Sequence, residues 1–318
     1  MAKTALRRTV QVHPTQFCNY SCLHCYSSSS PAHTKHLPTD HLLTFVEQAV
    51  NEGFQHLSVS GGEPLLYKGI TELLTHARQL GMQTSLITNG SFTKAKYERF
   101  APLVDSVGVS LDGLENLHDQ IRNHPGAFKK VERFLGFAKD LFASVGMVVS
   151  ISDQSWEAIP ELLDLARDKQ VDLVQLHPME PAGRAVEHHK ISLSNVNLKR
   201  AYLLYRALAP DYPFSIAFDA FTRQAAAKLL VPKESTTKMA ESVDLIVVTE
   251  EGAIKPHSYQ APPEWTLGNL LYDDLPSCWE NYRTHQLEAY GLWVKDQLGK
   301  VESPIFSPDR PFSVALEQ

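Results

Sequence analysis

Several classes of protein are made improbable by what this sequence of 318 residues lacks. No apolar run approaches the ~20 residues that a membrane-spanning helix requires, and no signal-peptide hydrophobic region follows the basic start MAKTALRR. The formal net charge is −6, which provides no basic surface for DNA or RNA. We therefore predict a cytoplasmic protein whose function involves neither a membrane nor a nucleic acid.

Cysteine is also scarce, with four residues in the whole chain. Three of them, Cys18, Cys22 and Cys25, lie in the stretch FCNYSCLHCYSSSS (residues 17–30), and the fourth is Cys278. In a cytoplasmic protein, clustered thiols usually indicate a metal site or catalysis rather than disulfides. The chain has no second cysteine pair of the kind that structural zinc sites usually contain.

The first two thirds of the chain alternate strand-like and helix-like segments in six βα repeats. Predicted strands begin near residues 8, 56, 82, 104, 144 and 171, and the clearest amphipathic helices span 39–53, 69–81, 126–141 and 155–170. Parallel strands need crossovers of this kind. The pattern predicts an α/β fold, either a partial or complete α/β barrel or a doubly wound sheet, with Gly-, Asn- and Asp-containing turns after the strands.

The pattern changes from about residue 190. We predict a helix at 198–210, a strand within PFSIAFD, a β-hairpin at 243–258 that turns at Glu251-Gly252, and a final helix at 275–291. A Pro-rich segment from about residue 300 predicts an irregular tail. The chain is thus expected to comprise a core at 8–190 and a small α+β C-terminal extension at 191–318.

Three interpretations of the cysteine stretch follow from the residues. The thiols could be small buried side chains on one helical face, although Asn19-Tyr20-Ser21 and the serine run favour a loop. They could bind zinc with His24 or a distant residue, as a metal-binding or redox-sensing thiol module. They could also hold three irons of an iron–sulfur cluster and leave the fourth iron open for chemistry.

A resemblance to a known family supports the third interpretation. CNYSCLHC resembles the CxxxCxxC signature of the radical S-adenosylmethionine (SAM) enzymes, and further motifs follow in the family's order after predicted strands. They are GGEP at 61–64, TNG at 88–90, SLDG at 110–113, HDQIRNHPGAF at 118–128 and HPMEPAGRA at 177–185. The resemblance covers about residues 8–190. It implies a partial (β/α)6 TIM-like barrel that binds one [4Fe-4S] cluster and S-adenosylmethionine, and reductive cleavage of SAM to a 5′-deoxyadenosyl radical.

The resemblance also implies roles for individual residues. Cys18, Cys22 and Cys25 become the cluster ligands. SAM contacts are implied for His24 and the pair Leu176-His177 at the adenine, for Gly61, Gly62 and Glu63 at the methionine amino group, for Asn89, Ser110, Asp112 and Ser150 at the neighbouring strand ends, and for Arg122 at the SAM carboxylate.

The C-terminal extension is similar to the SPASM/twitch-like region of peptide-modifying members, the maturases of ribosomally made precursor peptides. This chain has His257 where the family has a cysteine ligand, and the other auxiliary-cluster ligands are absent. We therefore expect a single cluster and a redox-neutral modification, either excision of part of a residue by a splicease-type reaction or epimerisation. Cys278 is the one spare thiol and is a weak candidate for a catalytic hydrogen donor.

Partners follow from the same resemblance. A precursor peptide is the expected substrate, and a flavodoxin- or ferredoxin-type protein is the expected one-electron reductant. About ten residues precede the first predicted strand, so we expect a separate leader-binding partner protein. The alternative substrate is a small molecule of cofactor or tetrapyrrole biosynthesis.

Overall fold

A computed structural model of the chain describes residues 7–179, 181–188, 192–220, 222–233, 236–301 and 305–306. Within these residues the strands form one ten-stranded sheet. The strands are β1 (Thr9–Val12), β2 (His56–Val59), β3 (Gln83–Thr88), β4 (Ser106–Ser110), β5 (Ser144–Ile151), β6 (Leu173–Pro178), β7 (Ser215–Phe218), β8 (Leu245–Val248), β9 (Ala253–Pro256) and β10 (Gly268–Asn269).

The order of the strands separates the two predicted architectures. It is β10-β9-β8-β1-β2-β3-β4-β5-β6-β7, and every pairing from β8 through β7 is parallel. Strands β1 to β7 are therefore consecutive, as in a barrel, without the reversal of order that defines a doubly wound sheet. The sheet is not closed, and the predicted α/β fold with a mostly parallel sheet is confirmed.

Helices connect the parallel strands and supply about half of the residues of the main core. They are α1 (Thr39–Asn51), α2 (Ile70–Gln79), α3 (Lys94–Glu98), α4 (Glu115–Arg122), α5 (Ala127–Leu141), α6 (Ile159–Asp168), α7 (Asn195–Leu208), α8 (Arg223–Leu230), α9 (Met239–Ser242), α10 (Leu275–His285) and α11 (Leu287–Lys300). In α1 the buried residues Leu42, Phe45, Val46 and Ala49 lie on one helical face. None of the helices in the described part of the chain is long and apolar enough to cross a membrane.

The two faces of the sheet differ in composition, as β5 illustrates. Val145, Met147 and Val149 are fully buried in the main core, whereas Val148 and Ser150 point to the other face and remain partly accessible. This second face carries many polar side chains. The strand ends on this face lie beside the loops that carry the sequence motifs.

The C-terminal region extends the same sheet. The predicted hairpin is confirmed, because β8 and β9 pair antiparallel and Gly252 turns with φ +84. The predicted single helix at 275–291 is wrong: the chain leaves helical geometry at Gln286, where φ is −122, and forms α10 and α11 instead. Most of the predicted irregular tail lies outside the described residues. The division into a core and an extension stays a prediction.

Candidate functional site

The cysteine stretch is a loop after β1 rather than a helix. Cys18 and Cys22 are buried, with 7% and 6% of their surface exposed, and the more accessible Cys25 packs against the same small cluster. All three thiols are free. The structure thus brings the three predicted ligands together and excludes the interpretation that they share one face of a core helix.

Backbone hydrogen bonds close this loop on itself. The amide of Cys18 donates to the carbonyl of Ser30 at 3.3 Å, and the amide of Ser28 donates to the carbonyl of Cys25 at 3.1 Å. N–H groups also approach two of the sulfur atoms. The Tyr20 amide lies 3.4 Å from Cys18 Sγ, and Arg122 Nη1 lies 3.9 Å from Cys22 Sγ. Donors directed at sulfur stabilise thiolate ligands of metal centres.

The arrangement of potential ligands bears on the kind of metal centre. Among the described residues, no three His, Cys, Asp or Glu side chains converge closely enough to hold a single metal ion. A polynuclear cluster binds each thiolate through a different iron, so its ligands do not have to converge on one point. Three thiols in one loop with N–H donors at sulfur therefore fit an iron–sulfur cluster.

The glycine pair after β2 packs backbone to backbone against the cysteine loop. Gly62 donates from its amide to the carbonyl of Thr15 at 2.9 Å, and Glu63 donates to the carbonyl of Phe17 at 3.0 Å. A Cβ atom at Gly62 would overlap the Phe17 carbonyl, and Gly61 has a φ of +107. Both positions therefore require glycine. This explains physically why the motif begins with two glycines.

Glu63 connects the loops after β2 and β3. One carboxylate oxygen accepts a hydrogen bond from Thr88 Oγ1 at 3.0 Å, and the other accepts from the amide of Asn89 at 2.9 Å. Burial raises the pKa of Glu63 to about 7 in spite of these donors. Asn89 in turn donates through Nδ2 to Asn19 Oδ1 at 2.8 Å. A role for Glu63 and Asn89 toward SAM stays a prediction.

Asp112 and Arg122 form a buried ion pair at the end of β4. Arg122 Nε lies 2.6 Å from Asp112 Oδ2, and His24 Nε2 lies 3.5 Å from Asp112 Oδ1. Burial alone would raise the pKa of Asp112, but the positive charge of Arg122 holds that pKa well below its usual range. The carboxylate is therefore ionised, and Arg122 links it to the Cys22 thiol.

His118 completes this group and was not identified from the sequence. Its Nδ1 accepts a hydrogen bond from the amide of Asp112 at 3.1 Å, so the imidazole is neutral. Burial lowers the pKa of His118 to about 4, which agrees with that arrangement. The residue stands at the start of HDQIRNHPGAF, a segment in which the sequence assigned a role to Arg122 alone.

The remaining predicted contacts lie at the ends of β4, β5 and β6. Ser150 and His177 are register partners on the accessible face, and Ser110 lies on that face as well. Leu176 alternates to the opposite face and is fully buried in the main core. His177 Nδ1 lies 3.2 Å from Oδ2 of Asp219, a residue that the sequence interpretation did not include.

Cys278 lies in α10 and is not part of the thiol cluster. It is 5% exposed, belongs to the main core and packs tightly against Gly268 of β10. Burial raises the pKa of its thiol to about 11. The surroundings are those of a buried helix residue, and its role as a hydrogen donor stays an untested prediction.

Comparisons with known proteins bear on the same residues. Residues 12–166 match the model of the Radical SAM superfamily. The chain is 30% identical over 173 residues to Fe-coproporphyrin III synthase of Methanosarcina barkeri, an alignment of 54% of this chain and 43% of that protein. It is 25% identical over 178 residues to sporulation killing factor maturation protein SkfB of Bacillus subtilis, with 55% and 43% covered. The chain thus spans less than half the length of either relative.

A solved structure shows the same fold. The crystal structure of Streptococcus suis SuiB bound to precursor peptide SuiA superposes with a TM-score of 0.66 and 17% identity, over 89% of this chain and 66% of that one. At this level of identity the similarity concerns the fold alone.

Proposed function

We propose that this chain, whose residues 12–166 match the model of the Radical SAM superfamily, is a radical SAM enzyme that modifies the backbone of a ribosomally made precursor peptide. The observation that carries the proposal is the grouping of three free thiols in one loop beside a buried Asp–Arg pair at one edge of an open, mostly parallel sheet. When bound, the [4Fe-4S] cluster and S-adenosylmethionine supply a 5′-deoxyadenosyl radical that removes a hydrogen atom from the substrate.

The chain's own residues bind and orient these groups. Cys18, Cys22 and Cys25 would hold the cluster, and the backbone at Gly61-Gly62, which packs against the start of the cysteine loop, would lie beside SAM. The ionised Asp112 and the Arg122 guanidinium provide opposite charges beside the thiols. Because their surroundings are dry, these charges act on a zwitterionic ligand more strongly than they would in water.

The accessible face of the sheet supplies the next set of groups. Ser110, Ser150 and His177 would contact the adenosyl part of SAM from the strand ends, and Asp219 would orient the His177 ring. The substrate would approach over the same face. An open sheet leaves room there for an extended chain as well as for a compact molecule.

A peptide substrate is supported by the kind of relatives that the chain has. SkfB is a maturation protein for sporulation killing factor, and SuiB was crystallised with a precursor peptide. We infer that this chain acts on a precursor peptide with the help of a separate leader-binding protein and a flavodoxin- or ferredoxin-type reductant.

The cysteine inventory favours a redox-neutral outcome. Three of the four cysteines are assigned to one cluster, which leaves too few thiols for an auxiliary cluster. A substrate radical without an internal electron acceptor is resolved by fragmentation or by hydrogen donation. Excision of part of a residue and epimerisation at Cα are the two corresponding modifications.

A tetrapyrrole is the second candidate substrate. The observation in its favour is the 30% identity to Fe-coproporphyrin III synthase, which exceeds the identity to SkfB. A compact porphyrin with carboxylate side chains would occupy the same open face. This candidate retains the cluster and SAM site and changes only the molecule from which hydrogen is removed.

Co-expression with a candidate precursor peptide tests the proposal, with Cys25→Ala as the inactive control. In deuterated water, excision lowers the mass of the peptide, whereas epimerisation raises it through incorporation of deuterium. Either change, absent with Cys25→Ala, supports the proposal. An unchanged peptide together with turnover of an iron porphyrin by the purified enzyme would identify the tetrapyrrole as the substrate.

A further inference from the structure

Arg184, in the loop after β6, binds the cysteine loop through its whole guanidinium group. Nε donates to the carbonyl of Cys22 at 2.8 Å, Nη1 donates to the carbonyl of Ser28 at 2.7 Å, and Nη2 donates to the carbonyl of Ser29 at 2.6 Å. The backbone amide of Arg184 donates to the carbonyl of Cys25 at 3.1 Å. One residue therefore holds four carbonyls of a segment only eight residues long.

We propose that Arg184 is a positioning residue that keeps the cysteine loop in its metal-binding conformation before the metal arrives. The inference rests on the assignment of the three thiols to a cluster. The carbonyls that Arg184 binds lie on both sides of Cys25, so the guanidinium closes the segment from residue 22 to residue 29 as a clasp. Closing it fixes the spacing between the Cys22 and Cys25 thiols.

The backbone of the clasped segment supports this role. Ser28 has a φ of +53, a left-handed conformation that costs a non-glycine residue energy. Its carbonyl is one of those that Arg184 holds. Without the guanidinium, the backbone of Ser28 is free to relax to a negative φ, which is lower in energy. That change would move the neighbouring residues of the loop.

Arginine suits the position better than lysine. A guanidinium presents several donors in a planar fork, whereas an ammonium is a point charge on a flexible stem. Within the described residues, Arg184 forms no ion pair with a carboxylate, so its donors are directed to the loop carbonyls. Lysine at this position could not bind carbonyls on both sides of Cys25 at once.

Gly183 allows the close approach on which the clasp depends. Its φ is +53, and a Cβ atom there would overlap the carbonyls of Cys25 and Tyr26. Alanine at this position would therefore push Arg184 away from the loop while leaving the guanidinium in the chain. Gly183→Ala is a second, independent way to open the clasp.

Hydrogen exchange of the metal-free protein tests the proposal without relying on activity. We expect amides in residues 22–30 to exchange at least about tenfold faster in Arg184→Gln and Arg184→Lys than in the wild type, with unchanged exchange in β1 to β6. The matched control is Arg206→Gln, because Arg206 is an exposed residue of α7 whose guanidinium donates to Tyr202. It should behave as the wild type does.

Cluster retention provides the second measurement. After anaerobic reconstitution, the Arg184 variants and Gly183→Ala should lose iron to a chelator about 10- to 100-fold faster than the wild type. The electron paramagnetic resonance spectrum of the reduced cluster should also broaden, which a merely destabilised fold elsewhere would not cause. The proposal would be overturned if the amides of residues 22–30 exchanged at the same rate in Arg184→Gln as in the wild type. It would also be overturned if Arg184→Gln lost iron to the chelator no faster than the wild type does.

The two proposals fail in distinguishable ways. A wild-type protein that binds no iron would contradict the proposed function, while exchange in the metal-free variants would still report on the clasp. Should Arg184→Gln not fold, Arg184→Lys and Gly183→Ala provide the same comparison with smaller changes.

Discussion

The cysteine loop and the C-terminal aromatic cluster both bury polar groups, but they do so in opposite ways. Around the loop the buried groups are charged and joined to one another, as in the Asp112–Arg122 ion pair, and the partly buried Arg184 guanidinium holds carbonyls of the loop. In the aromatic cluster, which we define as His257, Trp265, Tyr282, Tyr290 and Trp293, the rings pack against one another: His257 and Trp293 stack on Tyr290, and Trp265 and Tyr282 meet it edge-on.

The protonation of the two regions follows this difference. Burial lowers the pKa of His257 to about 4 and raises the pKa of Tyr290 above its usual range, so both are neutral. Within the described residues, His257 Nε2 and the hydroxyls of Tyr282 and Tyr290 form no hydrogen bond. Charges that persist in a dry site suit a charged ligand, whereas neutral stacked rings suit packing. Within the described residues, we therefore propose the loop rather than the aromatic cluster as the place of the metal chemistry.

Removing a thiol from the loop should have the largest effect. Cys25→Ala removes the most accessible of the three ligands, so it disturbs the core less than a change at Cys18 would. We expect 5′-deoxyadenosine formation from SAM to fall to background and iron content to drop, because the proposed cluster site would keep only two of its three thiolate ligands. Chromatography of the nucleoside and an iron assay measure both. Retained cleavage would show that another residue can replace this ligand.

Neutralising Asp112 should cause the largest loss of stability. Asp112→Asn leaves the buried Arg122 charge without its carboxylate, and loss of one partner of a buried pair costs about 3–5 kcal/mol. Urea unfolding of the metal-free protein measures this change. The control, Asp140→Asn, breaks the exposed pair with Lys94 and should cost at most about 1 kcal/mol. Equal losses in the two variants would show that the Asp112 pair is not effectively buried.

In the aromatic cluster, the pH should change the free energy of unfolding, because His257 is buried in its neutral form. His257 has a folded pKa of about 4, below its ordinary value of 6.5, so its contribution to stability is complete above pH 6.5 and is lost as the pH falls toward 4. His257→Asn keeps a residue that tolerates the φ of +61 and removes the titration. Between pH 6.5 and 4 the variant should lose up to about 3 kcal/mol less stability than the wild type.

Burial also lowers the pKa values of His13 and His118. The stability of His257→Asn will therefore still depend on pH to some extent. Unfolding curves of the exposed-residue control His285→Asn should follow those of the wild type. Parallel pH profiles for His257→Asn and the wild type would contradict the neutral character that we assign to the cluster.

Removing the remaining thiol should have the smallest effect. Cys278 is buried in α10 against Gly268, so Cys278→Ala leaves a small cavity that costs about 1 kcal/mol. Iron content and the yield of modified product should equal those of the wild type. A loss of product with normal SAM cleavage would instead identify Cys278 as the hydrogen donor.

The sequence predicted the parts of this protein that depend on local patterns. The βα alternation predicted the parallel strands, and the position of each motif after a strand placed Gly61, Asn89 and Asp112 at one edge of the sheet. The hairpin at Glu251-Gly252 followed from its turn residues in the same way.

Contacts between distant backbone and side chains were not predictable. Arg184 binds carbonyls about 160 residues earlier in the chain. Every residue has a backbone carbonyl, so the sequence does not show which of them accepts a hydrogen bond from a distant side chain. Glu63 turns toward Thr88 and Asn89 because the loops after β2 and β3 are adjacent, which becomes visible only in the folded sheet. From the spacing of the apolar residues we predicted one helix at 275–291, whereas the chain forms two helices separated at Gln286.

Metal analysis of anaerobically reconstituted wild-type protein and Cys278→Ala, each combined with a SAM cleavage assay, tests the comparison most directly. A single cluster on Cys18, Cys22 and Cys25 predicts about four irons per chain in both proteins and 5′-deoxyadenosine that depends on a reductant. About eight irons per chain would place a second cluster in the C-terminal region, and stoichiometric zinc without cleavage of SAM would contradict radical chemistry at the loop.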